Sequence, residues 1–260
     1  MNNGDTRSGH ECICMTRFGK EIVRHYDGYG VIQVFDDGNK RTLMFGENDE
    51  QGCVRKHTPE VIDYDYVRAM LLVLALLKDP RQCLILGLGS GALATSLYHH
   101  LPLLQIEVVE LRQMIIDLGY SHFFLPRSER LKVTQHDAGE FIKTSPATYD
   151  IIFSDIYHAS GMDAQQGSRK FIEHCLDRLT PDGWLVLNYW QQHKTLDLIP
   201  LLLEYFPNIW TNNINKENWI IYASRSSLSL SEKQRKTDIK RLNEVFGFSL
   251  SKVAKGMQKY

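Results

Sequence analysis

The run Gly87-Leu88-Gly89-Ser90-Gly91-Ala92 sets three glycines around small and apolar residues. Glycine tolerates positive φ and has no Cβ, so such a run makes a tight turn and lets a ligand approach the backbone. About twenty residues on stands Glu110, whose carboxylate can accept hydrogen bonds from both hydroxyls of a ribose. Charge-assisted bonds of that kind contribute roughly 1.5–3 kcal/mol each. His136-Asp137-Ala138 offers a second acid, placed to bond an adenine amino group. Asp155 ends the stretch Tyr149-Asp150-Ile151-Ile152-Phe153-Ser154-Asp155, where a carboxylate can hold an amine nucleophile and take up its proton. Tyr157, His158 and Ser160 follow in a polar segment, and a histidine there can carry a proton near neutral pH. Each residue also has a plainer explanation: a structural strand–helix turn, an incidental strand-end acid, a helix cap or a solvated loop.

These groups can act together only if the chain presents them on one edge. Apolar strands over Cys83–Leu88, Ile106–Leu111, Leu131–Gln135, Tyr149–Ser154 and Trp184–Tyr189 alternate with helices over Gly91–His100, Gln113–Tyr120, a short helix after Gln135, and Ser168–Leu179. Continuous apolar strands alternating with helices predict a parallel sheet covered on both faces. In open α/β sheets the ligand crevice lies at the carboxyl ends of the strands, where the glycine turn, Glu110, Asp137 and Asp155 all fall. A helix over Leu196–Phe206 precedes strands near 208–214 and 218–224, joined as a hairpin by Asn215-Lys216-Glu217-Asn218. An antiparallel last strand marks the methyltransferase-type variant of the Rossmann-like α/β fold. Upstream, residues 1–63 read as a leader and a small N-terminal β unit, with strands near 20–25, 30–36 and 42–45. Tyr66–Leu77 reads as one buried helix stopped by Asp79-Pro80, within a domain over 64–225. Residues 226–260 form a basic helical tail of net charge +5, eight Lys and Arg against three acids, with Ser231 as the helix opener.

The chain of 260 residues suits one large domain with a small appendage, and 43% hydrophobic residues suit a globular core. A net charge of −1 implies no general attraction to nucleic acid or membrane. Met1–His10 has no apolar segment, and the longest apolar run, Ala69–Leu77, is too short to span a bilayer. The five cysteines, Cys12 and Cys14 among them, show no metal-ligand rhythm, so no metal is expected and a reducing, cytoplasmic location is.

Gly87, Gly89 and Ala92 satisfy the dinucleotide pattern as well as an adenosyl one. Asp137 and the turn Leu179-Thr180-Pro181-Asp182-Gly183-Trp184, similar to the L-x-P-G-G turn of adenosyl-cofactor enzymes, tilt the reading to an adenosyl cofactor. From Tyr66 to Trp190 the chain resembles the spermidine synthases. Tyr66-Val67-Arg68-Ala69-Met70 stands for the family's Tyr-His-Glu-Met segment, and Phe124-Leu125-Pro126 with Arg130-Leu131 resembles its approach to the third strand. Asp137-Ala138 matches its Asp-Ala, and Asp155 falls on its catalytic aspartate. The resemblance implies S-adenosylmethionine or its decarboxylated form as donor, methylthioadenosine as product, a small amine as acceptor and a homodimer. It implies cofactor binding by Gly87, Gly89, Ser90, Gly91, Glu110, Asp137 and Gln51, and substrate binding by Tyr66, Tyr157 and His158.

The departures are specific. Ser90 stands where the family carries the aspartate that anchors the donor's amine, His158 replaces a second aspartate, and Arg68 replaces a glutamate. A pocket for cations needs negative charge, and a like charge at about 4 Å costs on the order of 4 kcal/mol. The acceptor site is therefore expected to be rebuilt and putrescine to be a poor substrate. Two other classes remain open: an ordinary methyltransferase, although Ile85 stands where those enzymes place an acid, and a non-catalytic nucleoside-binding relative.

Overall fold

The computed structural model describes residues 17–46, 49–158, 161–193, 197–226 and 231–260. Cys12, Cys14 and Ser160 lie outside the described residues. Four strands, β1 (Lys20–Asp27), β2 (Gly30–Asp36), β3 (Lys40–Met44) and β4 (Glu50–Arg55), form an antiparallel N-terminal sheet in chain order. The sequence reading left β4 out. Its Glu50-Gln51-Gly52 start is too polar and too glycine-rich to read as a strand, and pairing with β3 supplies what propensity does not.

The main sheet contains β5 (Gln82–Leu86), β6 (Gln105–Glu110), β7 (Leu131–Gln135), β8 (Tyr149–Ser154), β11 (Leu179–Trp190), β12 (Asn208–Ile214), β13 (Asn218–Ser224) and β14 (Gln258–Lys259). Its spatial order is β14-β12-β13-β11-β8-β5-β6-β7. The strands from β11 to β7 are parallel, and β13 enters antiparallel between β11 and β12. This is the Rossmann-like, methyltransferase-type arrangement that the alternation and the terminal hairpin predict. Two short strands, β9 (Tyr157–His158) and β10 (Gly161–Met162), pair with each other beyond β8.

The period of two along the strands divides the core into two layers. Cys83, Ile85, Ile106, Val108, Ile151 and Phe153 pack on one face against α2 (Ala92–His100), α3 (Gln113–Ser121) and α7 (Glu232–Phe246). Leu84, Leu86, Val109, Ile152, Leu185 and Leu187 pack on the other against α4 (Ala138–Thr144), α5 (Arg169–Arg178) and α6 (Leu198–Leu203). Asp150, at the amino end of β8, accepts the N–H groups of Arg81 and Gln82 and the Thr180 hydroxyl, tying three chain segments at the edge remote from the glycine turn.

Two expectations change. Tyr66–Leu77 is not one helix: α1 spans Asp65–Met70 and then tightens into a 3₁₀ segment, Leu71–Ala75. All five residues of that segment are buried, because the sheet, α7 and α8 (Ser251–Ala254) surround a stretch with no polar face. The tail is helical, and the Ser231 hydroxyl caps α7 by accepting the Gln234 N–H at 3.1 Å. It is not, however, separate from the 64–225 domain. Leu242, Phe246, Leu250 and Met257 are buried in the main core, and β14 pairs with β12 to extend the sheet. Among the described residues, no helix is long and apolar enough to cross a membrane.

Candidate functional site

The carboxyl ends of β5, β6, β7, β8 and β11 open into one cavity of about 590 Å³, roofed by the start of β4 and by the β12–β13 turn. Gly87 (φ +95°) and Gly89 (φ +53°) form its floor. A Cβ on Gly87 would overlap the carbonyl of Asp155, so the turn after β5 and the end of β8 meet only because that residue is glycine. Glu110 lines the cavity at the end of β6. Its Oε2 accepts the Leu88 N–H at 3.0 Å and its Oε1 the Arg112 N–H at 2.9 Å. Each oxygen keeps a further lone pair for a ribose hydroxyl. Burial raises the Glu110 pKa, while the N–H groups of Arg112, Leu88 and Leu111 and the Arg112 charge oppose the rise.

Asp137 lines the next strand end and caps α4, its Oδ1 accepting the Glu140 N–H at 2.9 Å. Oδ2 has no partner among the described residues and can accept from a ligand. Asp155 follows β8 directly. Burial pushes its pKa from 3.8 up to about 6, against the one hydrogen bond that favours its charge, from Asn188 Nδ2 to Oδ1 at 2.8 Å. Asn188 is 2% exposed, and its amide orientation is set from behind by Asn218, which donates to its Oδ1 at 3.0 Å. The Tyr157 hydroxyl and Gln166 Nε2 both donate to the Asn188 carbonyl, and Tyr157 packs on Trp190 with ring centroids 5.5 Å apart. Asp155 is thus a desolvated carboxylate held in one orientation, which suits proton transfer.

Gln51, Tyr66 and Tyr157 line the same cavity. Ser90 and Gly91 do not. Ser90 is 4% exposed and its hydroxyl packs against Gly52 of β4, while Gly91, at φ +76°, caps the amino end of α2. His158 closes β9, and its side chain lies outside the described residues. Arg68 also points elsewhere. Its Nε donates to the Ile62 carbonyl at 2.8 Å, and its guanidinium lies over the Phe248 ring at 5.0 Å. The expected like-charge penalty from Arg68 therefore does not arise, because the α1 turn directs that side chain to the C-terminal segment. Seven carboxylates line the cavity, from Asp49, Glu50, Glu110, Asp137, Asp155, Asp163 and Glu217, against three cations, Arg17, Arg112 and Lys216. Arg112 is already paired bidentately with Asp27 at 2.9 Å. The space favours a cationic ligand. The missing acid at Ser90 and the inverted charge at Arg68 do not decide its field.

Sequence reasoning missed Asn188, Asp49, Glu50 and Arg112 as lining residues, and it read the β12–β13 turn without bringing it to the cavity. One signal was available for Asn188, a lone amide inside the apolar run Trp184–Tyr189, where a buried polar group needs partners. Among the described residues, no group of three or more His, Cys, Asp or Glu side chains is arranged to hold a metal ion.

The sheet order and the antiparallel terminal hairpin define an α/β protein of the Rossmann-like, methyltransferase-type class. The family described as "Spermine/spermidine synthase domain" matches residues 66–217, more than half of the chain, and the chain belongs to it. It is 26% identical over 222 residues to a polyamine aminopropyltransferase of Chromobacterium violaceum, covering 84% of this chain and 85% of that one. Its fold is similar to that of a probable spermidine synthase from Corynebacterium glutamicum, with a TM-score of 0.74 at 19% identity over 91% of this chain and 89% of the other. It is also similar to human methyltransferase-like protein 13 in complex with SAH, with a TM-score of 0.65 at 22% identity over 71% and 93% of the two chains.

Proposed function

We propose that the cavity holds decarboxylated S-adenosylmethionine and that the chain transfers its aminopropyl group to a small amine. The donor supplies a carbon activated by a neighbouring sulfonium, which leaves as the neutral thioether of methylthioadenosine. The observation that carries the reading is Asp155, a desolvated carboxylate with a pKa near 6 at the strand end next to the glycine turn. Glu110 accepts the ribose hydroxyls on its remaining lone pairs, Gly87 and Gly89 let the nucleoside lie against the backbone, and Asp137 Oδ2 accepts from the adenine amino group. Asp155 takes the proton of the incoming ammonium, so that the nitrogen lone pair is free to form the new N–C bond as the C–S pair passes to sulfur. At neutral pH Asp155 is mostly ionised, yet its proton affinity lies close enough to the medium for exchange. The aromatic walls of Tyr64, Tyr66, Tyr157 and Trp190 suit the alkyl part of an amine acceptor, and the chain's part in the rate is largely positioning.

The test is product analysis with a panel of diamines and monoamines, putrescine included. Amine-dependent release of methylthioadenosine from the decarboxylated donor supports the reading. Formation of the demethylated product from S-adenosylmethionine instead would move the chain to the methyltransferase class that shares this fold, and turnover of neither donor would refute catalysis. The proposed assembly is a homodimer in a reducing cytoplasm, which suits the free buried thiols of Cys53, Cys83 and Cys175. Light scattering at micromolar concentration checks the dimer.

A further inference from the structure

We infer that Asp49 binds the primary amine at the end of the donor's aminopropyl chain, and that this contact selects a donor lacking a carboxylate. The inference rests on the reading of the cavity as an aminopropyl-donor site.

The start of β4 lies directly over the glycine turn. A Cβ on Gly52 would overlap the Ser90 hydroxyl, and the Gln51 carbonyl is 3.8 Å from where a Cβ on Gly89 would stand. Asp49, two residues before Gln51, lines the cavity beside that turn. Its backbone is fixed, because its carbonyl accepts the Phe45 N–H at 2.9 Å. One carboxylate oxygen, Oδ1, accepts from Gln51 Nε2 at 2.8 Å. The other, Oδ2, is sealed from water and has no hydrogen-bond partner. Native proteins keep few buried acceptors in that condition, and those they keep ask for an explanation in function. No cation of the described residues pairs with Asp49, and burial raises its pKa. Its neighbours around the turn are engaged: both oxygens of Glu110 hold backbone N–H groups, and Glu50 accepts the Tyr64 hydroxyl. Ser90, on the turn itself, packs against Gly52 and does not line the cavity.

An ammonium group carries three N–H donors and the charge that Asp49 lacks. The terminal torsion of an aspartate is soft and nearly two-fold, so a ligand amine can draw Oδ2 into the cavity while Gln51 keeps the other oxygen. A donor that retains its carboxylate beside that amine would bring a negative charge against Asp49 in a cavity with an excess of acids. The decarboxylated donor avoids that repulsion, whereas methylthioadenosine has no amine and cannot sense Asp49.

The experiment is calorimetric titration of the full chain and its D49N variant with decarboxylated S-adenosylmethionine, S-adenosylmethionine and methylthioadenosine. Asp49→Ala serves as a second variant. The asparagine form keeps the shape and the Gln51 contact, and loses a half-buried charge. The expected result is at least a tenfold loss of affinity for the decarboxylated donor, with methylthioadenosine unchanged within twofold. The wild-type chain should prefer the decarboxylated donor over S-adenosylmethionine by tenfold or more, and the variants should narrow that ratio. Equal binding of the decarboxylated donor by wild type and both variants, with methylthioadenosine still bound, overturns the role of Asp49 and leaves the adenosyl site standing. Failure of the wild-type chain to bind any of the three ligands overturns both readings.

Discussion

Asp155→Asn leaves the shape of the site in place and removes a charge that the fold bears at a cost. The Asp155 carboxyl is pushed from its ordinary 3.8 to about 6 by burial, with the Asn188 amide pulling the other way. Its folded-state pKa lies above its unfolded value, which is the reverse of an ion-paired aspartate. Below about pH 4 the group is neutral in both states and costs nothing. As pH rises through 6 the folded protein must hold the charge, and the penalty is fully present at pH 7.5. A tenfold change in proton affinity corresponds to about 1.4 kcal/mol, so the penalty is on the order of 3 kcal/mol. A domain of this size changes its Tm by about 2–4 °C per kcal/mol, so Asp155→Asn should raise Tm by roughly 6–12 °C at pH 7.5. The gain should shrink through pH 6 and vanish near pH 4. Differential scanning calorimetry of both proteins across that range isolates the effect, since every other titrating group is common to the pair. The same variant should lose roughly 100- to 10000-fold in transfer rate. A Tm difference independent of pH, or a variant less stable at pH 7.5, would refute the description of Asp155 as a desolvated carboxylate.

Asn188→Leu removes the hydrogen bond that favours the charged form of Asp155, so the acid limb of kcat/KM should move to higher pH by about one to two units, the equivalent of a charge-assisted bond of roughly 1.5–3 kcal/mol. A pH–rate profile in single-turnover transfer reads the shift, and an unmoved limb would detach Asn188 from Asp155. Gly87→Ala should cost several kcal/mol and abolish methylthioadenosine binding, because its methyl group meets the Asp155 carbonyl at a φ of +95°; urea unfolding and calorimetry check both. Phe246→Ala should destabilise the whole domain by about 3–5 kcal/mol, as expected for a fully packed aromatic side chain, with ligand affinity unchanged at temperatures where the protein is folded.

Much of the site is written locally. Gly87, Glu110 and Asp155 each stand at the carboxyl end of an apolar run and Asp137 just past the half-polar strand Leu131–Gln135, and strand geometry with parallel order is enough to carry them to one edge. The β12–β13 hairpin was legible for the same reason, because its polar Asn215-Lys216-Glu217-Asn218 turn separates two apolar stretches. Ser231 announced α7 through its capping chemistry. Such features depend on neighbours a few residues away, and periodicity reports them.

The direction in which a side chain leaves its turn, and what it then meets, belongs to packing between distant segments. Ser90 stands inside the glycine run, yet its side chain packs against Gly52 of β4, nearly forty residues earlier in the chain. Arg68 adjoins Tyr66, yet α1 turns it onto Phe248 from the far end of the molecule. Asn188 meets Asp155 because β11 lies beside β8 in parallel register, with Leu187 opposite Ser154. Asp49 joins the cavity because the N-terminal sheet closes over the glycine turn. The sequence by itself determined the strand-end acids and the turn between them, since covalent spacing and a two-residue period suffice for that. Only the tertiary structure decided the charge of the cavity and the surroundings of its carboxylates, since solvation and hydrogen bonding depend on groups that the chain brings together only when it folds.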